Sequence, residues 1–370
     1  MPSRTGRLRR VGERLISQFD RLVPAAAHVV AHSSPDLDDN VVALLRRRPE
    51  ELRVVVLADD AERARARATA LGLEGTEIVA RHSRLGLWSY FRSRASISSH
   101  GLFGSRTRGR RKQSLGLWHG EFGKQIGSFL GFAPQYYDWV PVSSELARTA
   151  RAAEFMLDPR HIHVVGTPRQ QMLTSVPSPP NAGPQIVWVP TYRQSGSGII
   201  RTDGDPDALD SLDLADPALS DLLDDLDATL WVRSHPLAIP RADSLGPRVR
   251  SAGNTDLEAT GRTFYELLRT ADCLVTDYSS VWVDFLLVDR PMIAFCPDLD
   301  TYRDDRGLAL EPHDVWFPGP VVTDAVDLLA ELRTALTGSE RDGARRADRA
   351  KQLQTAQTDP IEQIWSYLRR

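Results

Sequence analysis

The chain has 370 residues, 46 Lys and Arg against 49 Asp and Glu, a net charge of −3, and 41% hydrophobic residues. This length suits about two domains of ~100–200 residues each, and the charge balance excludes a globally basic nucleic-acid binder and a disordered polyelectrolyte. Two cysteines, Cys273 and Cys296, exclude a disulfide scaffold and a Cys-rich zinc module, and no run reaches the ~18–20 apolar residues of a membrane span.

Residues 1–22 carry six arginines against Glu13 and Asp20. Leu8, Val11, Leu15, Phe19 and Leu22 recur at spacings of three and four, which predicts a basic amphipathic helix. Such a helix either lies on an anionic membrane surface or packs on its own domain. With no apolar h-region or cleavage site, a secretory signal is not expected and the chain is placed in the cytoplasm.

Short β-branched runs then alternate with helical patterns. Strands are expected at 27–31, 53–57, 114–118 and 163–165, with helices at 40–48 and 61–71. The Pro-rich stretch 177–184 breaks the alternation and reads as a linker. Beyond it, strands at 186–189, 229–232, 273–276 and 292–295 alternate with helices at 216–226, 263–270 and 281–287. Residues 298–307 read as a polar loop, and 324–336 and 345–368 as helices. Strand–helix alternation implies parallel sheets covered on both faces, an α/β chain. Two such halves describe two Rossmann-like domains facing a cleft, with ligands beyond the strand C-termini. The boundaries are a basic segment 1–25, a first domain 26–177, a linker 178–185, a second domain 186–340 and a C-terminal helix 341–370.

Charge falls in blocks. Between Arg81 and Lys124 ten basic residues, among them Arg106, Arg108, Arg110, Arg111 and Lys112, face one acid, Glu121. Trp88, Tyr90, Phe91 and Phe103 are interleaved with them. This segment suits a nucleic acid, a lipid headgroup surface or a phosphate-rich substrate, or is a solvated basic loop. Residues 203–227 hold ten aspartates and no basic residue, the composition of a solvated face.

Polar groups cluster directly after expected strands. Trp118 leads into His119-Gly120, and Trp231-Val232 into Arg233-Ser234-His235-Pro236. Cys273–Thr276 leads into Asp277-Tyr278-Ser279-Ser280 and a helix. Two hydroxyls at a helix N-terminus favour an anion over a plain cap. Neither a P-loop nor a GxGxxG is present, so helix N-termini and arginines have to hold any phosphate.

Together these pieces resemble the CDP-glycerol glycerophosphotransferase family, the teichoic-acid primases and polymerases. The matching residues are Asp39-Asn40; Trp118-His119-Gly120 with Lys124 and Gly127; Gly166-Thr167-Pro168-Arg169; Val189-Pro190-Thr191-Tyr192-Arg193; Arg233-Ser234-His235-Pro236; Thr276-Asp277-Tyr278-Ser279-Ser280 with Asp284; and Arg290-Pro291 running to Tyr302, Arg303, Arg306 and Gly307. The resemblance implies a GT-B-like fold and transfer of a polyol phosphate from CDP-glycerol or CDP-ribitol to an acceptor hydroxyl, with release of CMP. It makes His119 the base and His235 a second catalytic residue. Gly120, Lys124, Arg169, Thr191, Arg193, Arg233, Ser234, Thr276, Ser279, Ser280 and Asp284 become donor or phosphate residues. Asp284 accepts from a ribose or polyol hydroxyl in this reading. The implied acceptor is a lipid-diphosphate-linked or polyol-phosphate chain. The implied location is peripheral, on the anionic inner leaflet, with Arg106, Arg108, Arg110, Arg111 and Lys112 at the acceptor or membrane surface. No permanently bound cofactor and no nucleic-acid partner are expected; no residue is singled out as a metal ligand, and the metal requirement is left open. Two departures stand out: Glu121-Phe122-Gly123 follows His-Gly, where the family continues Thr-Pro-Leu, and Gln171 stands where the family has Asp. A GT-B nucleotide-sugar glycosyltransferase and a non-catalytic anionic-lipid or RNA binder are the competing readings.

Overall fold

The computed structural model describes residues 23–103, 112–131, 134–174, 183–191, 193, 212–233, 246–338 and 341–369. The expected N-terminal helix, Arg106, Arg108, Arg110, Arg111, Tyr192, Ser234, His235 and most of the Pro-rich linker lie outside the described residues. The chain divides into two compact units. The first comprises Met1–His119, Ile126–Gln171 and Ala356–Arg370; the second comprises Gly120–Gln125 and Met172–Thr355. The C-terminal segment thus returns to the first unit, and the six residues after His119 belong to the second.

The first unit runs β1 (Val29–His32), α1 (Asp39–Arg46), β2 (Val54–Ala58), α2 (Ala61–Ala70), β3 (Glu77–Ala80), α3 (Arg84–Arg92), β4 (Ala95–Ser98), β5 (Gln113–Gly116), β6 (Val140–Val142), α4 (Glu145–Phe155) and β7 (Ile162–Val164). Its main sheet is parallel throughout, in the order β3-β2-β1-β4-β5. Strands β1 and β2 are buried at every position, so Val and Ala runs suit both faces of a covered parallel sheet. Side-chain caps start the helices. The carboxylates of Asp38 and Asp60 and the hydroxyls of Ser83 and Ser144 accept from Val41, Arg63, Gly86 and Ala147 N–H.

The second unit runs β8 (Gln185–Val189), α5 (Pro217–Asp225), β9 (Thr229–Val232), β10 (Val249–Ser251), α6 (Phe264–Arg269), β11 (Cys273–Thr276), α7 (Val281–Phe285), β12 (Met292–Phe295), α8 (Leu299–Arg306), β13 (Val321–Val322), α9 (Ala325–Leu336) and α10 (Gly343–Leu353). The pairings of its main sheet are all parallel, in the order β10-β9-β8-β11-β12-β13. One face is filled by Ile186, Trp188, Val275, Phe295 and Leu223. The expected loop at 298–307 is instead helix α8, with Tyr302 and Arg306 buried. Its mostly charged composition hides two inward positions one turn apart.

The chain then returns to the first unit as α11 (Pro360–Arg369). Ile361, Ile364, Trp365 and Leu368 are buried at spacings of three and four, an apolar stripe. Tyr367 stacks on Trp139, with ring centroids 5.8 Å apart, and Asp359 pairs with Arg47 at 2.6 Å.

Phe285 is fully buried on α7. Phe285→Ala is expected to destabilise the second unit by about 3–5 kcal/mol, measured as a lower guanidinium midpoint.

Candidate active site

In each unit the strand order reverses beside the strand that starts the unit: between β1 and β4 in the first, and between β8 and β11 in the second. Loops leaving the C-terminal ends of such strands form the ligand crevice of open parallel sheets. The polar residues singled out in the sequence leave the sheets there.

In the first unit, β1 leads to Asp38, β4 to Ser99-His100, and β5 to Trp118-His119. Asn40, buried on the first turn of α1, joins two of these loops. Its Nδ2 donates to Trp118 O at 2.9 Å, and its Oδ1 accepts from Arg169 N at 3.2 Å. Trp118 is held in the left-handed region, φ 53°, and Phe122 likewise, φ 58°. Bulky residues rarely occupy it, so the segment carrying His119 is flanked by strained turns. His119 is exposed. Its ring stacks on His100, with centroids 4.2 Å apart and 7° between planes, and meets Trp118 at 4.5 Å. Arg169 is buried and lies in the field of Asp38, whose carboxyl burial pushes up to about 6.

One group of donors in this unit has the spacing of a cation site: His32, Asp36 and Asp59. The Arg81 guanidinium already fills it. Nη1 donates to His32 Nε2 at 2.8 Å and Nη2 pairs with Asp59 at 2.7 Å, while Asp36 accepts the N–H groups of Asp59 and Asp60.

In the second unit, Arg193 is the centre of a buried network. Its Nε and Nη2 donate to the two oxygens of Asp298 at 2.7 and 2.8 Å, and Nη1 donates to Asp277 at 2.9 Å and to Thr191 O at 2.8 Å. Thr191 donates to Asp277 from both its N–H and its hydroxyl. The rings of Tyr278 and Tyr302 stack 3.9 Å apart, each about 5 Å from the guanidinium carbon. Burial by itself would lower the Arg193 pKa. The carboxylates of Asp277 and Asp298 more than offset it and keep the group charged. Burial pushes the Tyr278 hydroxyl and the Cys296 thiol up, so both stay protonated.

The other expected phosphate ligands of this unit are anchored within it. Thr276, fully buried, donates to Val189 O at 2.9 Å, and buried Asp284 accepts from Tyr265 Oη at 2.5 Å. Arg233 donates to Ala252 O and Asn254 Oδ1, both at 2.6 Å, over the Phe264 ring. Ser279 and Ser280 are half-buried ahead of α7. Gly120 and Gly123 rest on this turn. A Cβ at Gly120 would lie 2.1 Å from Ser280 Oγ, and one at Gly123 would lie 3.1 Å from both Ser280 N and Tyr278 O. Lys124 forms an antiparallel bridge with Leu308, flanked by bonds from Gln125 N to Gly307 O and from Ala309 N to Gly123 O. Glu121 is buried in this segment.

A family model described as CDP-Glycerol:Poly(glycerophosphate) glycerophosphotransferase matches residues 18–359. The chain belongs to this family. Among its relatives, a teichoic acid ribitol-phosphate primase of Bacillus spizizenii is 27% identical over 256 residues, 61% of this chain and 62% of that protein. A teichoic acid glycerol-phosphate transferase of Staphylococcus aureus is 34% identical over 117 residues, 31% of this chain and 28% of the relative. The fold is that of the wall teichoic acid polymerase TagF, with a TM-score of 0.75 at 17% identity over 98% of this chain and 92% of the solved one. A UDP-N-acetylglucosamine 2-epimerase structure from Listeria monocytogenes is similar at a TM-score of 0.55 and 14% identity, covering 93% of this chain and 96% of that one. The architecture is α/β and GT-B-like.

Sequence reasoning singled out the glycerophosphotransferase motifs but missed what stands behind them: Asn40 as a clamp, His100 under His119, and Asp298 with Tyr278 and Tyr302 around Arg193. For Asp298 and Tyr302 the usable signal is the i, i+4 spacing inside a stretch too polar to read as a helix.

Two substitutions test this geometry. Arg193→Met leaves two carboxylates buried without their cation and is expected to cost at least about 3–5 kcal/mol, read from chemical denaturation. Gly120→Ala is expected to cost roughly 1–3 kcal/mol by overpacking. Adding Ser280→Gly should recover most of that loss in a thermal melt.

Proposed function

We propose that this family member transfers a polyol phosphate, glycerol phosphate first among the candidates, from a CDP-linked donor to a hydroxyl of a lipid-linked or poly(polyol phosphate) acceptor in teichoic-acid-type polymer synthesis. The observation that carries this reading is the family match across residues 18–359, within which His119 precedes a glycine resting on the Ser279–Ser280 turn. The acceptor oxygen attacks the β-phosphorus, the bond from that phosphorus to the bridging oxygen of CMP breaks, and CMP leaves. The attacking hydroxyl must lose its proton. Among side chains the imidazole is the one suited by type to accept a proton near neutral pH, and the exposed position of His119 supports it as the base.

Charge building on the phosphoryl oxygens calls for fixed donors. Ser279 and Ser280 have the position for it, and Arg233 with Ser234 and His235 supplies positive charge and a proton for the leaving group. Arg169, Thr191, Arg193, Thr276 and Asp284 are buried inside their own units. Their part in this reading is to hold the strand-end loops, with their charge acting through the protein rather than by direct contact. Lys124 sits on the same segment as Gly120 and adds a cation there.

Among the described residues no helix is long and apolar enough to cross a membrane. A peripheral attachment is supported by α3, where Leu85 is 58% and Trp88 53% exposed beside exposed Arg84 and half-buried Arg92. The Arg92 guanidinium lies 5.8 Å from the Trp88 ring centre. Aromatic and basic side chains side by side suit the headgroup region of an anionic leaflet.

With CDP-glycerol and a lipid-linked acceptor analogue, CMP release is the expected product signal, and His119→Ala should lower kcat by about 10²–10⁴-fold. Unchanged turnover in that variant would remove the base assignment. Absence of CMP from both CDP-glycerol and CDP-ribitol, with turnover of a nucleotide sugar, would replace the reading by glycosyl transfer. Leu85→Glu with Trp88→Glu should lower cosedimentation with phosphatidylglycerol vesicles at fixed salt; equal binding would detach α3 from the membrane.

A further inference from the structure

His100 has no place in the motifs above, yet its position is unusual. It lies two residues beyond the end of β4, at the point where the strand order of the first unit reverses. Its ring lies parallel to that of His119, with centroids 4.2 Å apart. Its Nδ1 is 2.9 Å from Ser99 Oγ. The Ser99 hydroxyl in turn bonds to the Asp38 carboxylate, which also accepts the Val41 N–H at 3.0 Å. Asp38 is fixed at its own backbone too, its N–H donating to Ser33 Oγ at 3.0 Å. An ionised carboxylate only accepts, so Ser99 donates to Asp38 and its oxygen takes the Nδ1–H of His100. The chain Asp38–Ser99–His100 therefore ties one imidazole edge to the ends of both β1 and β4, while its face lies against His119.

We infer that His100 is a positioning residue: its anchored ring is the platform that fixes the orientation of the His119 imidazole. An exposed side chain on a loop otherwise spreads over several rotamers, and a base that must be ordered during each turnover works more slowly. The platform has a second use. When His119 takes a proton, the π-face of a neutral neighbour is favourable to the new positive charge, whereas a charged neighbour repels it. Crowding by protein atoms lowers the His100 pKa. The ring therefore stays neutral at pH 7.

The inference rests on His119 being the base of the proposed reaction, so its test has two arms. In the first, CMP release from CDP-glycerol is compared for wild type, His100→Ala and His100→Phe. The Ala variant is expected to lose about 10- to 100-fold in kcat with the donor KM within about twofold, because ring orientation rather than ground-state binding is lost. Phe restores a flat ring without a titratable nitrogen and should recover most of that loss. In the second, the His119 ring protons are followed by NMR without substrate, after a thermal melt establishes that each variant is folded. They should be shifted by ring current in wild type and His100→Phe, and lose that shift in His100→Ala.

An unchanged His119 signal in His100→Ala would overturn the inference, as would a Phe variant no faster than the Ala variant. If wild type releases no CMP while the NMR contrast holds, the platform stands and the phosphotransfer reading fails.

Discussion

The second unit depends on one cation. Arg193 follows β8, Asp277 follows β11 and Asp298 follows β12, so a single guanidinium ties the exits of three adjacent strands. A bidentate fork on Asp298 with a third bond to Asp277 fixes direction as well as distance, which a lysine could not reproduce. Such an arrangement is strong only when complete. The Coulomb attraction has to offset the loss of hydration of three charges, and the two tyrosine rings and Thr191 satisfy what the salt bridges leave over. The Ser279–Ser280 turn, two residues beyond Asp277, inherits its place from this network.

The first unit reaches the same end through single hydrogen bonds rather than a buried cation. Asn40 holds the Trp118 carbonyl and the Arg169 amide, and Asp38 and Ser99 hold His100. Here the energies are those of single hydrogen bonds, roughly 0.5–1.5 kcal/mol between neutral partners and ~1.5–3 kcal/mol at the Asp38 carboxylate, set against the strain of left-handed Trp118. The difference has a chemical sense. In the proposed reaction, a permanent cation beside an imidazole that must accept a proton would oppose its protonation.

Most of the sheet framework was legible in the sequence because parallel strands read as short β-branched runs. Val54–Ala58, Cys273–Thr276 and Met292–Phe295 fall within a residue or so of their expected bounds. Strand β4 was missed because it reads Ala-Ser-Ile-Ser. Its serines are buried by the fold, and no apolar run announces them. The same blind spot hid His100, which is notable only for lying just beyond the end of a strand. Helix α8 was missed for the opposite reason: charged residues on its outer face masked Tyr302 and Arg306 on its inner one. The motif residues themselves were legible by order and spacing. Their division of labour was not, since whether an arginine faces a ligand or a buried carboxylate depends on residues a hundred positions away, as Asp298 is from Arg193.

The Asn40 clamp has a consequence of a different kind. A carboxamide is asymmetric, with a donor at one end and an acceptor at the other, and both ends are in use. Hydrolysis of that amide to a carboxylate keeps the shape and the contact to Arg169 N–H but sets oxygen against the Trp118 carbonyl. One spontaneous chemical lesion, invisible to the sheet and nearly invisible to the mass of the protein, would release the turn that precedes His119.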